Sequence, residues 1–157
     1  MALEIEHKFL VKDPSILDTT PGVFYKQGYI RTNSLTTVRI RIIENLALLT
    51  VKGKNDGPSR LEFEYEISVS DANEMLNKLC DSPIIEKNRH TLMHENHEWV
   101  VDVFHGDNSG LIVAEIELPS IDTPFSLPHW IGNEVTDDPR YFNSSLAEYP
   151  YKDWRTD

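Results

Sequence analysis

Hydrophobic and polar residues alternate along much of the chain, beginning in its first ten residues. In the segment EIEHKFLV, residues 4–11, the charged residues fall at positions 4, 6 and 8. A period of two is the period of a β-strand, so these charges share one face, with Ile5, His7 and Phe9 on the other. The pattern therefore predicts a first strand over residues 2–11 that has one charged face.

The same alternation predicts seven further strands. They cover residues 24–32, 36–43, 46–52, 61–69, 84–94, 98–104 and 111–118. One amphipathic helix is predicted over residues 71–80, with Asp71 as its N-cap, and a polar, proline-containing tail from Pro119 onward predicts short helices. Because short turns join most of the strands, the expected fold is mainly β (α+β). It is an eight-stranded antiparallel closed tunnel barrel with flanking and C-terminal helices.

Length, charge and cysteine content narrow the class of protein. The 157 residues are expected to form a single domain, 1–157, and their formal net charge of −11 argues against binding to nucleic acid or to an anionic membrane. The single cysteine, Cys80, excludes an intramolecular disulfide and favours a reducing compartment. No apolar run is long enough for a signal peptide or a membrane span, so the expected location is the cytoplasm.

Charged residues recur at period two on one face of nearly every predicted strand. The acids are Glu4, Glu6, Glu62, Glu64, Asp102, Glu115 and Glu117, and the bases are Lys8, Arg39, Arg41, Lys52, Lys87 and Arg89. A barrel has an inner and an outer surface, and either could carry these charges. Like charges two residues apart repel each other and imply a ligand of opposite charge, which favours a charged lumen. Arg60 and Glu66 share the same parity but are assigned to solvent-exposed strand ends, and Lys52 and Lys87 have a rim position as their alternative.

A lumen with separate acidic and basic patches has a definite chemistry. Carboxylate oxygens are the ligands that hard divalent cations prefer. Arginine and lysine side chains bind phosphate oxygens, and arginine does so with two parallel hydrogen bonds. The residues alone therefore favour a cavity that holds a metal ion beside a phosphate-containing anion.

The opening segment resembles the ExExK signature of the CYTH superfamily, the triphosphate tunnel metalloenzymes. The resemblance continues through residues 27–29 (QGY), 38–41 (VRIR), 50–52 (TVK), 59–64 (SRLEFE), 86–89 (EKNR), 102–104 (DVF), 114–117 (AEIE), 134–138 (EVTDD) and 140–141 (RY). These segments follow one another in the family's order along nearly the whole chain. One departure is His7, where small bacterial members commonly have arginine, and its parity places it on the outer face.

The resemblance implies hydrolysis or transfer at a triphosphate, dependent on Mg²⁺ or Mn²⁺, with two ions expected. A first ion is assigned to Glu4, Glu6, Glu115 and Glu117, and a second ion to Glu62, Glu64 and Asp102. The expected phosphate-binding residues are Lys8, Arg39, Arg41, Lys52, Lys87, Arg89 and Arg140. Among these, Lys8, Lys87 and Arg89 are expected to act in catalysis by offsetting developing charge.

The sequence narrows the substrate less well than the reaction. The short chain offers no obvious aromatic platform for a base or a thiazolium ring, which favours inorganic tripolyphosphate, released as pyrophosphate and phosphate. Adenylate cyclisation and thiamine triphosphate hydrolysis remain as enzymatic alternatives, and a polyphosphate- or nucleotide-binding module as the non-enzymatic one. A small-molecule triphosphate is the expected partner, and the sequence leaves both the monomer and the homodimer open.

Overall fold

The computed structural model describes residues 3–154, which form nine strands, two α-helices and four short 3-10 helices. The strands are β1 (Leu3–Val11), β2 (Gly22–Ile30), β3 (Thr37–Ile43), β4 (Leu46–Lys52), β5 (Ser59–Ile67), β6 (Ile85–His94), β7 (His97–Phe104), β8 (Ile112–Glu117) and β9 (Ile131–Glu134). The helices are α1 (Val69–Lys78) and α2 (Asn143–Glu148), and the 3-10 helices are Pro14–Leu17, Gly106–Asn108, Pro139–Tyr141 and Tyr151–Asp153.

Eight of the strands form a closed antiparallel barrel, as the sequence predicted. Going around it, the strands follow the order β5, β4, β3, β2, β6, β7, β8, β1, and β1 closes the ring by pairing with β5. In this ring β1 and β2 are four strands apart in either direction, so they face each other across the lumen. Closure leaves β1 with two barrel neighbours, since its first residues pair with β5 and its central residues pair with β8.

The charged faces of the strands point into the barrel. Glu6 lies opposite Glu117 on β8, and Lys52 lies opposite Glu62 on β5. The alternate residues point outward, and many of them are buried under other elements: Ile40 and Trp99 are fully buried. The chain therefore folds into a barrel whose inner surface is polar and whose outer surface is covered by apolar packing.

Two covers bury the apolar exterior. Helix α1 packs its buried face, with Ala72 and Leu76, on the side formed by β2, β3 and β4. It begins after Ser68, whose hydroxyl accepts a hydrogen bond from the Asp71 amide, so the prediction of Asp71 as N-cap was wrong by three residues. On the opposite side, the segment after β8 brings Phe125 and Trp130 against the core of β1, β7 and β8.

The C-terminal region contains a strand that the alternation did not predict. Strand β9 pairs with the outer part of β1, with Phe9 opposite Glu134 and Val11 opposite Ile131. At four residues, IGNE, it is too short to show a periodic pattern. The short helices predicted for this tail are present beyond β9, and no helix in the described range 3–154 has the length and apolarity needed to cross a membrane.

Candidate active site

The barrel encloses a cavity of about 670 Å³ that opens to solvent. Its wall contains all of the predicted site residues except Asp102 and Arg140. They are Glu4, Glu6, Lys8, Arg39, Arg41, Lys52, Glu62, Glu64, Lys87, Arg89, Glu115 and Glu117. The lumen interpretation of the alternating charges is therefore the one that the structure adopts.

Carboxylates gather on the wall formed by β5, β1 and β8. Lys52 Nζ bridges two of them, at 2.8 Å from Glu4 Oε2 and 3.0 Å from Glu62 Oε2. Glu117 has no such partner within the described chain. Its partial burial and the nearby charges of Glu4, Glu6 and Glu62 raise its pKa to about 7. This wall therefore carries more negative charge than its own cations neutralise.

Lys8 extends this wall along the barrel. Its ammonium lies 2.9 Å from Glu6 Oε1 and 2.7 Å from Glu115 Oε1. Burial alone would lower the pKa of Lys8, but the two carboxylates raise it above its ordinary value, and Lys8 lowers the pKa of Glu6 against the effect of burial. All three side chains are therefore held in their charged forms.

This acidic wall has the donor chemistry for a hard divalent cation. The unneutralised charge at Glu117, beside Glu4 and Glu6, is the observation that fits such a cation. Within residues 3–154, however, no three His, Cys, Asp or Glu side chains converge in a geometry that would hold a metal ion, since Lys8 and Lys52 take their place among the carboxylates. The residues fit a cation provided that these carboxylates reorient when it binds.

Cations gather on the opposite wall, formed by β3, β2 and β6. Arg41 is the least compensated of them: its side chain is 8% exposed, and its Nε donates to Gln27 Oε1 at 2.7 Å. Among the described residues no carboxylate lies within 4.0 Å of its guanidinium. Burial and repulsion by Arg39 and Arg89 lower the pKa of Arg41 to about 9. A buried guanidinium without a carboxylate is a strong site for an anion.

Arg39 likewise has a hydrogen-bond donor for which the described residues supply no acceptor. Its Nη2 donates to Thr50 Oγ1 at 3.2 Å and to Glu64 Oε2 at 3.3 Å, while its buried Nε has no hydrogen-bond partner in the described chain. Buried donors in proteins are rarely left unpaired. An anion in the cavity would supply the missing acceptor.

Asp102 lies behind the cavity wall, where it holds two of the cations. Its Oδ2 accepts from Lys87 Nζ at 2.7 Å, and its Oδ1 accepts from Arg89 Nε at 2.7 Å. Burial opposes its ionisation, yet Arg89 and Lys87 lower its pKa to about 2. Both oxygens thus accept hydrogen bonds from cations, so Asp102 positions Lys87 and Arg89 in this structure, and its role as a ligand of the second metal ion stays a prediction.

Arg140 is also placed differently from the prediction. It lies in the 3-10 helix Pro139–Tyr141 with a side chain 54% exposed, and its guanidinium pairs with Asp138 Oδ2 at 2.7 Å outside the cavity. The tail does reach the cavity, but through Asn143 at the start of α2. The Asn143 Oδ1 atom accepts from Gln27 Nε2 and from Lys87 Nζ, each at 3.0 Å.

Sequence reasoning missed some residues of the wall. Arg60 lines the cavity, whereas the prediction placed it in solvent; its parity with Glu62 was the signal that could have identified it. Glu66, two residues beyond Glu64, is exposed as expected. Gln27, which accepts from Arg41 Nε, carries no charge, so the charge pattern did not select it as a site residue although residues 27–29 belong to the family resemblance. Lys87 is fully buried, which excludes the alternative of a rim charge.

Comparison with known proteins agrees with this geometry. The CYTH domain family matches residues 2–147. A protein of Acetivibrio thermocellus named inorganic triphosphatase is 49% identical over 155 residues, which cover 99% of each chain. A second inorganic triphosphatase, from Nitrosomonas europaea, is 35% identical over 150 residues, which cover 92% of this chain and 96% of that protein.

A solved structure of an inorganic triphosphatase has the same architecture. It superimposes with a TM-score of 0.63 at 33% identity, covering 91% of this chain and 96% of that one. The family match extends over nearly the whole barrel, and the resemblance seen in the sequence is borne out. The chain belongs to the CYTH domain family.

Proposed function

We propose that this protein hydrolyses inorganic tripolyphosphate to pyrophosphate and phosphate inside the barrel. The single observation that carries the proposal is Arg41, a buried guanidinium in the cavity wall with no carboxylate within 4.0 Å among the described residues. A polyanion supplies the counter-charge that Arg41 lacks. The relatives named inorganic triphosphatase, 49% and 35% identical to this chain, support tripolyphosphate as that anion.

The basic wall would bind and orient the phosphate chain. Arg39 and Arg41 on β3 face the lumen beside Lys87 and Arg89 on β6. The guanidinium group of each of these three arginines can donate two hydrogen bonds to phosphate oxygens. Because Asp102 fixes Lys87 and Arg89 from behind, these cations are held in place before the substrate arrives, which favours stabilisation of the transition state.

The acidic wall would hold the metal. We assign a first ion to Glu4, Glu6, Glu115 and Glu117, and a second ion to the region of Glu62 and Glu64, with Mg²⁺ or Mn²⁺ as the expected species. When bound, such ions neutralise phosphate charge and activate water. Lys8 and Lys52, which pair with these carboxylates, would then be free to bind phosphate oxygens.

The reaction itself is a displacement at phosphorus. A water oxygen bonds to the terminal phosphorus, the bridging P–O bond breaks, and pyrophosphate leaves with the bond's electron pair. The proton of the attacking water passes to solvent or to phosphate oxygens. Lys8, Lys87 and Arg89 offset the charge that develops on the phosphate oxygens during this step.

The cavity wall favours an inorganic substrate over an organic one. Most of its lining side chains are charged, and its aromatic members among the described residues are Tyr29 and Phe142. Tyr29 is only 7% exposed and belongs to a buried cluster with Ile85 and Phe104. An adenine or thiazolium ring would therefore have little surface on which to stack.

A panel of triphosphates tests the proposal. Phosphate release should be measured from tripolyphosphate, thiamine triphosphate and ATP with Mg²⁺ or Mn²⁺, together with assays for pyrophosphate and cyclic AMP. The proposal expects the fastest release from tripolyphosphate, with one pyrophosphate formed for each phosphate. Formation of cyclic AMP from ATP would instead show that the protein is a cyclase. Metal-independent binding of tripolyphosphate without turnover of any substrate would instead show that it is a binding module.

A further inference from the structure

The ring of Tyr25 lies among three cations of the basic wall. Its centroid is 5.0 Å from Arg41 Cζ, 5.0 Å from Arg89 Cζ and 5.9 Å from Lys87 Nζ. These distances are within the range of cation–π interactions, in which the negative face of an aromatic ring attracts a cation. Tyr25 therefore contacts both guanidinium groups at once.

The strand register explains this position. Tyr25 is on β2, the strand between β3 and β6, and it is paired directly with Lys87 of β6. Arg41 is two residues along β3 from Ile43, the other partner of Tyr25, and Arg89 is two residues along β6 from Lys87. One inward-facing ring on β2 can thus reach the cations of both neighbouring strands.

Tyr25 is not one of the residues that line the cavity, although Arg41 and Arg89 are. The ring accordingly stands behind the two guanidinium groups, as Asp102 stands behind Arg89. Among these cations, Arg89 is neutralised by Asp102 at 2.7 Å, whereas Arg41 has the neutral side chain of Gln27 as its hydrogen-bond partner. The electron-rich ring is the contact that Arg41 and Arg89 share.

Such a contact has an energetic consequence. Arg39 and Arg89 repel the Arg41 charge, as the lowered pKa of Arg41 reflects. An aromatic ring in contact with both guanidinium groups offsets part of that repulsion and restricts the planes of both groups. A planar group held in one orientation loses less freedom when it binds a phosphate through two hydrogen bonds.

We propose that Tyr25 is a positioning residue whose ring holds Arg41 and Arg89 side by side for the substrate's phosphates. The proposal rests on the proposed function insofar as the anion is a triphosphate. It predicts that the aromatic ring matters more than the hydroxyl, because the ring contacts both guanidinium groups while the hydroxyl makes no hydrogen bond to another residue of the range 3–154.

Three variants test the role of the ring. Tyr25→Phe keeps the ring and should change KM and kcat for tripolyphosphate less than twofold. Tyr25→Leu removes it and should weaken tripolyphosphate binding about 10-fold, measured by calorimetry without metal. Tyr65→Leu removes an exposed tyrosine from the outer face of β5 and is the matched control, which should bind like the wild type.

A graded series of variants tests the ring even if Tyr25→Leu does not fold. Phenylalanine analogues with one, two and three ring fluorines at position 25 keep the shape of the ring but progressively remove charge from its face. The proposal expects tripolyphosphate affinity to fall stepwise with each fluorine at an unchanged Tm. Equal affinity across the series, or a loss of binding in Tyr25→Leu that only follows its unfolded fraction, would overturn it.

The outcome also separates this proposal from the proposed function. If the wild type binds tripolyphosphate without hydrolysing it and the fluorine series still weakens binding, the hydrolase proposal fails and the role of Tyr25 stands. If the wild type hydrolyses tripolyphosphate and the series has no effect on KM, kcat or binding, the role of Tyr25 fails and the hydrolase proposal stands.

Discussion

Lys87 and Asp102 form an ion pair in the barrel wall, with Nζ and Oδ2 2.7 Å apart and both side chains 1% exposed. The charges of Arg89 and Lys87 hold the pKa of the buried Asp102 carboxyl at about 2 against the effect of burial, so both groups of the pair are ionised. Because Asp102 also accepts two hydrogen bonds from Arg89, one carboxylate fixes two cations of the cavity. The orientation of the basic wall therefore depends on a residue that lies outside the cavity.

Substituting Asp102 tests this dependence. Asp102→Asn leaves two buried cations without their carboxylate, and we expect it to lower the free energy of unfolding by about 3–5 kcal/mol. Among the molecules that remain folded, calorimetry should show weaker metal-free binding of tripolyphosphate.

The same variant separates a positioning role from metal ligation. If Asp102 positions cations, the Mg²⁺ concentration for half-maximal activity stays within about twofold of the wild-type value. If it ligates the metal, that concentration rises while metal-free binding of tripolyphosphate is kept. Glu64→Gln is the comparison variant, because Glu64 lies in the cavity wall and belongs to the proposed second metal site.

Arg41 is expected to show a conflict between stability and function. Its buried charge has no carboxylate partner in the described chain, so Arg41→Met should raise the free energy of unfolding of the protein without ligand, by about 1 kcal/mol or more. The same change should lower kcat/KM for tripolyphosphate about 100-fold or more. Urea unfolding and initial-rate kinetics measure the two effects.

Arg31→Met is the control for Arg41, since the Arg31 side chain is 72% exposed. Arg31→Met should change neither the free energy of unfolding nor kcat/KM for tripolyphosphate appreciably. A destabilised Arg41→Met protein with normal kcat/KM would show that Arg41 is a structural residue and would remove the observation on which the proposed function mainly rests.

Glu117 predicts a pH dependence of stability. Its pKa is raised from the ordinary 4.5 to about 7 in the folded protein, so the folded state binds more protons than the unfolded state between these values. The contribution of Glu117 to stability is therefore present at pH 4 and is lost as the pH rises toward 8. Because Glu117 is more than a third exposed, solvent screens the effect, so Glu117→Gln should raise the Tm at pH 8 by only about 2–4 °C and leave it nearly unchanged at pH 4.

The cause of this shift can be checked with metal. The charges of Glu4 and Glu6 contribute to it, so millimolar Mg²⁺ should remove most of the difference between wild type and Glu117→Gln at pH 8. A Tm difference that is the same at pH 4 and pH 8 would contradict the account. Glu66→Gln, at an exposed position on the same strand as Glu62, should show no pH-dependent difference.

His7 is the visible departure from the pattern of small bacterial family members, and its side chain lies outside the lumen. Its Nδ1 is 2.9 Å from Glu134 Oε2 on β9, and its ring packs against Phe125 at a centroid distance of 5.3 Å. His7→Arg can keep the pairing with Glu134, so kcat/KM for tripolyphosphate should stay within about twofold of wild type. A larger loss would mean that β9 and the residues that follow it transmit changes on the outer surface to Lys8, whose amide donates a hydrogen bond to Thr136 Oγ1.

The barrel was predictable because charged residues recur at alternate positions along most of its strands. On five strands, β1, β3, β5, β6 and β8, charged residues stand two positions apart, as Glu4 and Glu6 or Arg39 and Arg41 do, and a strand sends residues at this spacing to one side of a closed sheet. Strand β9 was not predictable in this way. It is held by pairing with β1, and its four residues carry no repeating pattern.

The parts of the site that sequence reasoning missed depend on three-dimensional partners. Asp102 and Glu115 both read as inward-facing acids, but only the fold places Asp102 behind Lys87 and Arg89 rather than on the cavity surface. Asn143 is uncharged and lies in the tail, so nothing in the sequence connects it with Lys87. The alternation along a strand identifies the face to which a side chain points, but not how deeply the side chain is buried or which side chain it contacts.

Whether the barrel is a metal-dependent triphosphatase is tested by phosphate release from tripolyphosphate by wild type and Glu4→Gln as a function of Mg²⁺ and Mn²⁺ concentration. Metal-free binding of tripolyphosphate is measured alongside by calorimetry. We expect metal-dependent release by the wild type and a loss of about 100-fold or more in Glu4→Gln, with binding kept because the basic wall is intact. Hydrolysis by the wild type without divalent metal, or full activity of Glu4→Gln, would contradict this expectation.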